Sequence, residues 1–114
     1  MTEESELLKA VLLQSSQAGD VLFRNQSGKY ELPDGRWLTS GLCTGSSDLI
    51  GWSPTVVTPE MVGKTVAIFT AIECKSIKGR LTKEQQNFLK RVRAAGGVAK
   101  LARPAGHRVH LTEV

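Results

Sequence analysis

The spacing of hydrophobic positions changes several times along the chain, and those changes divide it into elements. From Glu3 to Gln17 the residues Leu8, Val11, Leu12 and Ser15 fall on one helical face, which predicts a first helix. Thr2 is its expected N-cap, and the acidic residues of its first turn complement the helix dipole. Gly19-Asp20 ends it. Short runs then read as strands: Val21 to Asn25, Lys29 to Leu32 and Arg36 to Leu38, separated by the turns Asn25-Gln26-Ser27-Gly28 and Pro33-Asp34-Gly35. Together they predict a small antiparallel meander. Asp48 to Trp52 is a further apolar strand, and Ser53 to Lys64 is a connector in which Thr58-Pro59-Glu60 has the form of a cap and first turn.

The run Thr65 to Lys75 is the least ordinary segment. Its pleat separates Val66, Ile68, Thr70, Ile72 and Cys74 from Ala67, Phe69, Ala71, Glu73 and Lys75, so both faces are largely apolar and a central strand covered on both sides is expected. The loop Ser76-Ile77-Lys78-Gly79-Arg80 leads to Thr82, and a helix is predicted from Lys83 to about Ala95. Gln85, Phe88, Leu89 and Val92 share one of its faces, and Gly96-Gly97 stops it. Val98 to Ala102 reads as a buried strand, and its return through a helix makes a βαβ unit with parallel strands. The expected class is α/β in the broad sense, an α+β fold with a mixed sheet, built as one domain over residues 1–114. His107 and His110 fall in a final strand or tail with no partner at a ligand spacing.

Charge is distributed unevenly. Residues 1–74 hold five Lys and Arg against nine Asp and Glu, a net of −4, and residues 75–114 hold ten against two, a net of +8. Lys78, Arg80, Lys83, Lys90, Arg91, Arg93, Lys100, Arg103 and Arg108 offer a surface that can track phosphates. The alternative is an ordinary solvated helix face. With few aromatic residues, a stacking platform for single strands is disfavoured against a reader of duplex or branched backbones. No stretch approaches the roughly 20 apolar residues of a membrane span, and the acidic start is unlike a secretory signal, so a cytoplasmic protein is expected. Cys43 and Cys74 are expected to be reduced and structural, with Cys74 in the core strand.

Burying Glu73 and Lys75 in a core strand costs several kcal/mol per ion unless they are paired, solvated or bound to metal. Asp48, at the mouth of its strand, lies about 25 residues upstream of Glu73. An Asp at the start of one strand and Glu-x-Lys at the end of its neighbour can converge on one point. Carboxylate ligands without a His or thiolate cluster favour Mg²⁺ or Mn²⁺, which suits hydrolysis of a phosphodiester. Asp48 can instead cap a turn, Glu73 and Lys75 can form a structural pair, and Thr82-x-x-Gln85 is a capping box that explains Gln85 locally.

The order Asp48, Glu73, Lys75 resembles the core of the PD-(D/E)xK nucleases. The longer frame is similar to their VRR-NUC branch: Phe23-Arg24-Asn25 after the first helix, GLCTGSSDLIG from Gly41 to Gly51, Glu73 to Lys75, and Thr82-Lys83-Glu84-Gln85 opening a helix. The residue before Asp48 is Ser47, where the superfamily name carries Pro. The resemblance implies a restriction-endonuclease-like core. It implies that Asp48, Glu73 and the Cys74 main-chain carbonyl hold Mg²⁺ or Mn²⁺, joined by Glu4 or alternatively Glu6. Lys75 would position or deprotonate the attacking water, Gln85 would face the site, and Arg24 would meet DNA; of the basic residues that charge singles out, Lys78, Arg80 and Lys83 are expected to meet it too. Small bacteriophage members of the family resemble Holliday junction resolvases, so a homodimer acting on four-way junctions is expected. The rivals are a monomeric flap or nick-processing nuclease and a silent DNA-binding module.

Overall fold

Helix α1 spans Glu3–Gln17 and begins the computed structural model, which describes residues 3–26 and 28–114. The expected Thr2 cap and the Ser27 turn position lie outside the described residues. The chain gathers into two units, Met1–Thr55 and Val56–Val114.

In the first unit Leu8, Val11, Leu12 and Ser15 are half-buried, as their spacing predicted, and α1 rests on strand β1, Val21–Arg24. The expected meander divides. β1 pairs antiparallel with β4, Leu49–Trp52, whereas β2, Gly28–Glu31, and β3, Trp37–Ser40, form their own hairpin. Hydrogen bonding at the end of β1 accounts for the difference: the Asn25 amide N–H donates to the Asp48 carbonyl at 2.7 Å, which commits the chain to β4. Within the hairpin the turn is closed by Leu32 N–H to the Arg36 carbonyl at 2.7 Å, and Asp34 accepts from Arg36 N–H at 3.0 Å. Phe23 and Trp52 meet across β1 and β4 with ring centroids 5.5 Å apart.

The second unit carries a 3-10 turn, Pro59–Met61, preceded by Thr58, and then β5, Thr70–Cys74. Helix α2, Lys83–Ala94, connects β5 to β6, Val98–Ala105, in parallel, and β7, Arg108–Glu113, returns antiparallel to β6. The βαβ expectation therefore holds, and the mixed sheet runs β5-β6-β7. Leu89 and Val92 of α2 meet Ala99 and Ala102 of β6 in the buried core; burying a Leu or Val side chain contributes about 1.5–3 kcal/mol.

The strand at Thr65 to Lys75 needs correction. Only Thr70–Cys74 is paired, and β5 is an edge of its sheet rather than a centre. Its partner cannot start earlier, because Gly96, at φ 96°, and Gly97 close α2 immediately before Val98. The first ladder bond, Val98 N–H to the Phe69 carbonyl, is 2.9 Å long. Val66, Ile68 and Ile72 are about half exposed, and Cys74 is exposed, so it is no core thiol; Cys43 is also free and exposed. Alternation along the short strand leaves Ala71 and Glu73 half-buried beneath α2, with Ile72 on the open face.

Candidate active site

Glu73 and Lys75 project from the same face of the β5 segment, and α2 lies over that face. The N-terminus of α2 is capped reciprocally: Thr82 Oγ1 accepts from Gln85 N–H at 3.1 Å, and Gln85 Oε1 accepts from Thr82 N–H at 2.9 Å. The other end of the same carboxamide, Nε2, donates to Glu73 Oε1 at 3.0 Å. Capping and facing the site are thus compatible roles for Gln85, because its acceptor and donor ends point to different groups. Lys75 Nζ stands 3.8 Å from the same Glu73 oxygen, with the Lys75 side chain 21% and the Glu73 side chain 33% exposed. Both contacts fall on Oε1, and neither uses Oε2. Beside them opens a groove of 370 Å³ lined by Ala71, Ile72, Glu73, Glu84, Gln85, Phe88 and Leu89.

Main-chain direction along β5 follows from its ladder. Lys75 N–H donates to the Ala102 carbonyl at 3.0 Å and the Phe69 carbonyl accepts from Val98, so the odd-numbered residues direct their peptide groups toward β6. The Cys74 carbonyl consequently faces the opposite edge of the strand. The second unit offers two hard oxygen donors, the Glu73 carboxylate and this carbonyl, next to an ammonium. Within either unit, no three His, Cys, Asp or Glu side chains gather among the described residues. The donor chemistry of this pair in the second unit fits a hard divalent cation.

The loop after Lys75 is held by a residue that charge alone assigns to DNA. Arg103 Nη1 donates to the carbonyls of Gly79 at 2.6 Å, Ser76 at 2.7 Å and Ile77 at 3.3 Å. One end of its guanidinium, Nη1, thus shapes the loop. Arg93 is bonded through Nη1 to Glu113 and to the Val114 carbonyl, with its side chain about half exposed. Lys78, Arg80 and Lys83 are exposed, as are Lys90, Arg91 and Arg108.

Asp48 stands in the first unit, exposed and directly before β4, where the sequence placed it. Asn25 organises the approach to it. Its Nδ2 donates to Ser46 Oγ at 2.7 Å and to the Ser47 carbonyl at 2.9 Å, while its Oδ1 accepts from Leu42 N–H at 3.0 Å. Ser46 Oγ in turn donates to the Cys43 carbonyl at 2.7 Å. Arg24 is exposed at the end of β1, opposite Leu49 in the ladder. Glu4 and Glu6 are exposed in the first turn of α1.

The structure thus joins Glu73, Lys75 and Gln85 in one unit, and Asp48 with the end of β1 in the other. Sequence reasoning missed the roles of Asn25 and Arg103. Asn25 was read as a strand end, a turn residue and part of the Phe23-Arg24-Asn25 frame, but with no role of its own; its signal was position, at the end of a strand whose partner is entered through Ser46-Ser47-Asp48.

The family model of the VRR-NUC domain matches residues 20–105. The matched span contains Arg24, Asp48, Glu73, Lys75 and Gln85, and begins after Glu4 and Glu6. No curated protein and no solved structure matches the chain. Among the described residues no helix is long and apolar enough to cross a membrane. Because the match covers most of its length, the chain belongs to the VRR-NUC family: it is a nuclease, its partner is DNA, and nucleases of this family are generally metal-dependent.

Proposed function

We propose that this VRR-NUC nuclease is a structure-specific DNA endonuclease of one domain, using Mg²⁺ or Mn²⁺ and acting as a homodimer on four-way junctions. The observation that carries the reading is the arrangement around Glu73. One carboxylate oxygen is held by Gln85, 3.0 Å away, Lys75 stands beside it, and the other oxygen enters neither contact. A carboxylate fixed at one oxygen presents the other without first losing rotamer freedom. Asp48, Glu73 and the Cys74 carbonyl would hold the ion, with Glu4, or Glu6 in its place, adding a further carboxylate. The ion would supply charge neutralisation at the phosphate and a site for the water nucleophile.

The remaining steps belong to side chains. Lys75 would position the attacking water, or help its deprotonation, as the water oxygen bonds to phosphorus. The opposite ester bond breaks in line, leaving 5′-phosphate and 3′-hydroxyl ends. Arg24, Lys78, Arg80 and Lys83 hold the DNA backbone around the scissile position. A single small domain presents one such site, and a two-fold dimer presents two in the relation that paired nicks on a junction require. The compartment is the cytoplasm, that of a bacterial host if the gene belongs to a phage.

The test is cleavage of matched four-way-junction, flap and linear duplex DNAs in Mg²⁺ or Mn²⁺, with Lys75→Ala as control. Symmetric nicking of the junction alone, absent in the control, is expected. Cutting of flaps, or of all three substrates, moves the activity to a processing nuclease. A monomer in sedimentation with and without DNA removes the dimer, and full activity of soluble Lys75→Ala overturns the site.

A further inference from the structure

The Asn25 network has no catalytic group of its own, yet its geometry is tightly specified. The carboxamide can sit only one way round. Nδ2 faces the Ser47 carbonyl, which can only accept, and Oδ1 faces Leu42 N–H, which can only donate. Ser46 Oγ, accepting from Nδ2, is thereby left to donate to the Cys43 carbonyl. One half-buried side chain therefore gathers Leu42, Cys43, Ser46 and Ser47, while its own main-chain N–H takes the carbonyl of Asp48. Residues 41–48 contain no strand or helix, so these side-chain bonds stand where a ladder would otherwise fix the backbone. The hydrogen bonding ends at Asp48.

We infer that Asn25 is a positioning residue that sets where the Asp48 carboxylate stands, and so governs metal affinity without touching the metal. The inference rests on the reading of Asp48 as a metal ligand. Arg24 immediately precedes Asn25 in the chain, so one strand end carries both a cation for the DNA backbone and the amide that holds the loop before Asp48. Only a carboxamide supplies the two donors and the acceptor together: Asp lacks the donors, and Ala lacks both.

The test is direct binding of Mn²⁺ to the full chain, followed by electron paramagnetic resonance of the free ion, alongside the thermal midpoint of the metal-free protein and the Mn²⁺ dependence of cleavage. Asn25→Asp places a carboxylate oxygen against the Ser47 carbonyl; it is expected to weaken Mn²⁺ binding about tenfold or more, the usual scale for groups that orient a metal ligand, with cleavage recovered at high Mn²⁺. Asn25→Gln, which keeps the group but shifts it by one methylene, is expected to lie between Asn25→Asp and the unaltered protein. If Asn25→Asp does not fold, Ser46→Ala takes its place, since it removes one arm of the network, and a smaller loss in the same direction is expected. Mn²⁺ binding unchanged in these variants while Asp48→Ala loses it overturns the role of Asn25 and leaves the metal site standing. Mn²⁺ binding unchanged in Asp48→Ala overturns the metal site itself.

Discussion

Replacing Gln85 by Glu separates the two tasks of that side chain, because Glu serves as well as Gln in a capping box but has no donor to offer Glu73. In Gln85→Ala both tasks are lost. The reciprocal half of the cap is one hydrogen bond, worth about 0.5–1.5 kcal/mol, since Thr82 Oγ1 still accepts from the main-chain N–H of residue 85, and a hydrogen bond to a charged acceptor is worth about 1.5–3 kcal/mol. The lower end applies here, since the Glu73 side chain is 33% exposed. In Gln85→Glu the cap stays, and a second carboxylate meets the first. Two like charges about 4 Å apart repel by about 4 kcal/mol at an effective dielectric near 20. Solvent, the neighbouring Lys75 and the favourable place of an acid at a helix N-terminus reduce this to roughly 1–2 kcal/mol.

The repulsion also fixes the pH dependence. The introduced carboxylate is pushed above the usual carboxylate range, so the folded variant binds more protons than the unfolded one between the two pKa values. Its stability falls as pH rises through that window, and the deficit shrinks as pH is lowered. Urea unfolding of Gln85→Glu, Gln85→Ala, Thr82→Ala and the unaltered protein at about pH 8 and pH 5 measures this directly, with slopes near 1–3 kcal/mol per molar urea placing the shifts at about 0.3–2 M. The deficit of Gln85→Glu should narrow at the lower pH, while that of Thr82→Ala should not. Equal stability of Gln85→Glu and the unaltered protein at pH 8 would refute the Gln85–Glu73 bond.

Replacing Glu73 and Lys75 together by Leu should leave stability unchanged or raised by about 1 kcal/mol while abolishing cleavage; calorimetry and a nuclease assay on the same preparation check both halves. Gly51→Ala should destabilise the first unit by at least about 2 kcal/mol, because the added Cβ would stand 1.8 Å from the Val21 carbonyl oxygen; the thermal midpoint reports it. Arg103→Met should expose residues 76–79 to limited proteolysis, since three carbonyls lose their donor at once; an unchanged digestion pattern would show that the turn holds itself. Lys78→Ala with Arg80→Ala should lower the slope of log affinity against log salt by about 2, against no change if these cations stay solvated in the complex.

What the sequence could disclose depended on how local the cause was. Helix α1, helix α2 with its cap, and the βαβ return were legible because period, capping box and glycine stop all act within a few residues. The pairing of β1 was not legible: Asn25-Gln26-Ser27-Gly28 has turn chemistry, and only the bond from Asn25 to Asp48, 23 positions on, diverts the strand to β4. The overestimated length of β5 has the same origin. Apolar residues from Thr65 onward suit a strand, but the partner begins at Val98, and hydropathy carries no record of where a partner starts. Net charge likewise could not reveal that Arg103 and Arg93 are committed within their own unit. In the site, Glu73 and Lys75 were visible as charges out of pattern, whereas Asn25 and Arg103 act through the main chain of distant loops and carry no such mark.

The geometry of the Glu73 and Lys75 pair bears on why these residues are charged at all. At 3.8 Å, with both side chains partly in water, the pair is a weak stabiliser, of the order of 0–1 kcal/mol. It nevertheless sits on the face that α2 covers, beside Phe88 and Leu89, where apolar side chains would extend the core at no desolvation cost. Gln85 then commits the donor end of its carboxamide to one oxygen of that carboxylate. Three polar side chains are thus tied together where the fold alone favours hydrophobic ones, and the result is a carboxylate beside a groove with one oxygen anchored and the other outside both contacts. A local conflict between sequence and packing that is resolved by orienting a single reactive group marks chemistry more than stability. The network at Asn25 repeats the pattern in the other unit, with several bonds converging on the approach to Asp48. In the second unit, then, hydrogen bonding beyond what folding demands ends at the Glu73 carboxylate, and in the first it ends at the main chain of Ser47 and Asp48; under the proposed function Glu73 and Asp48 are the positions whose carboxylates would hold the ion.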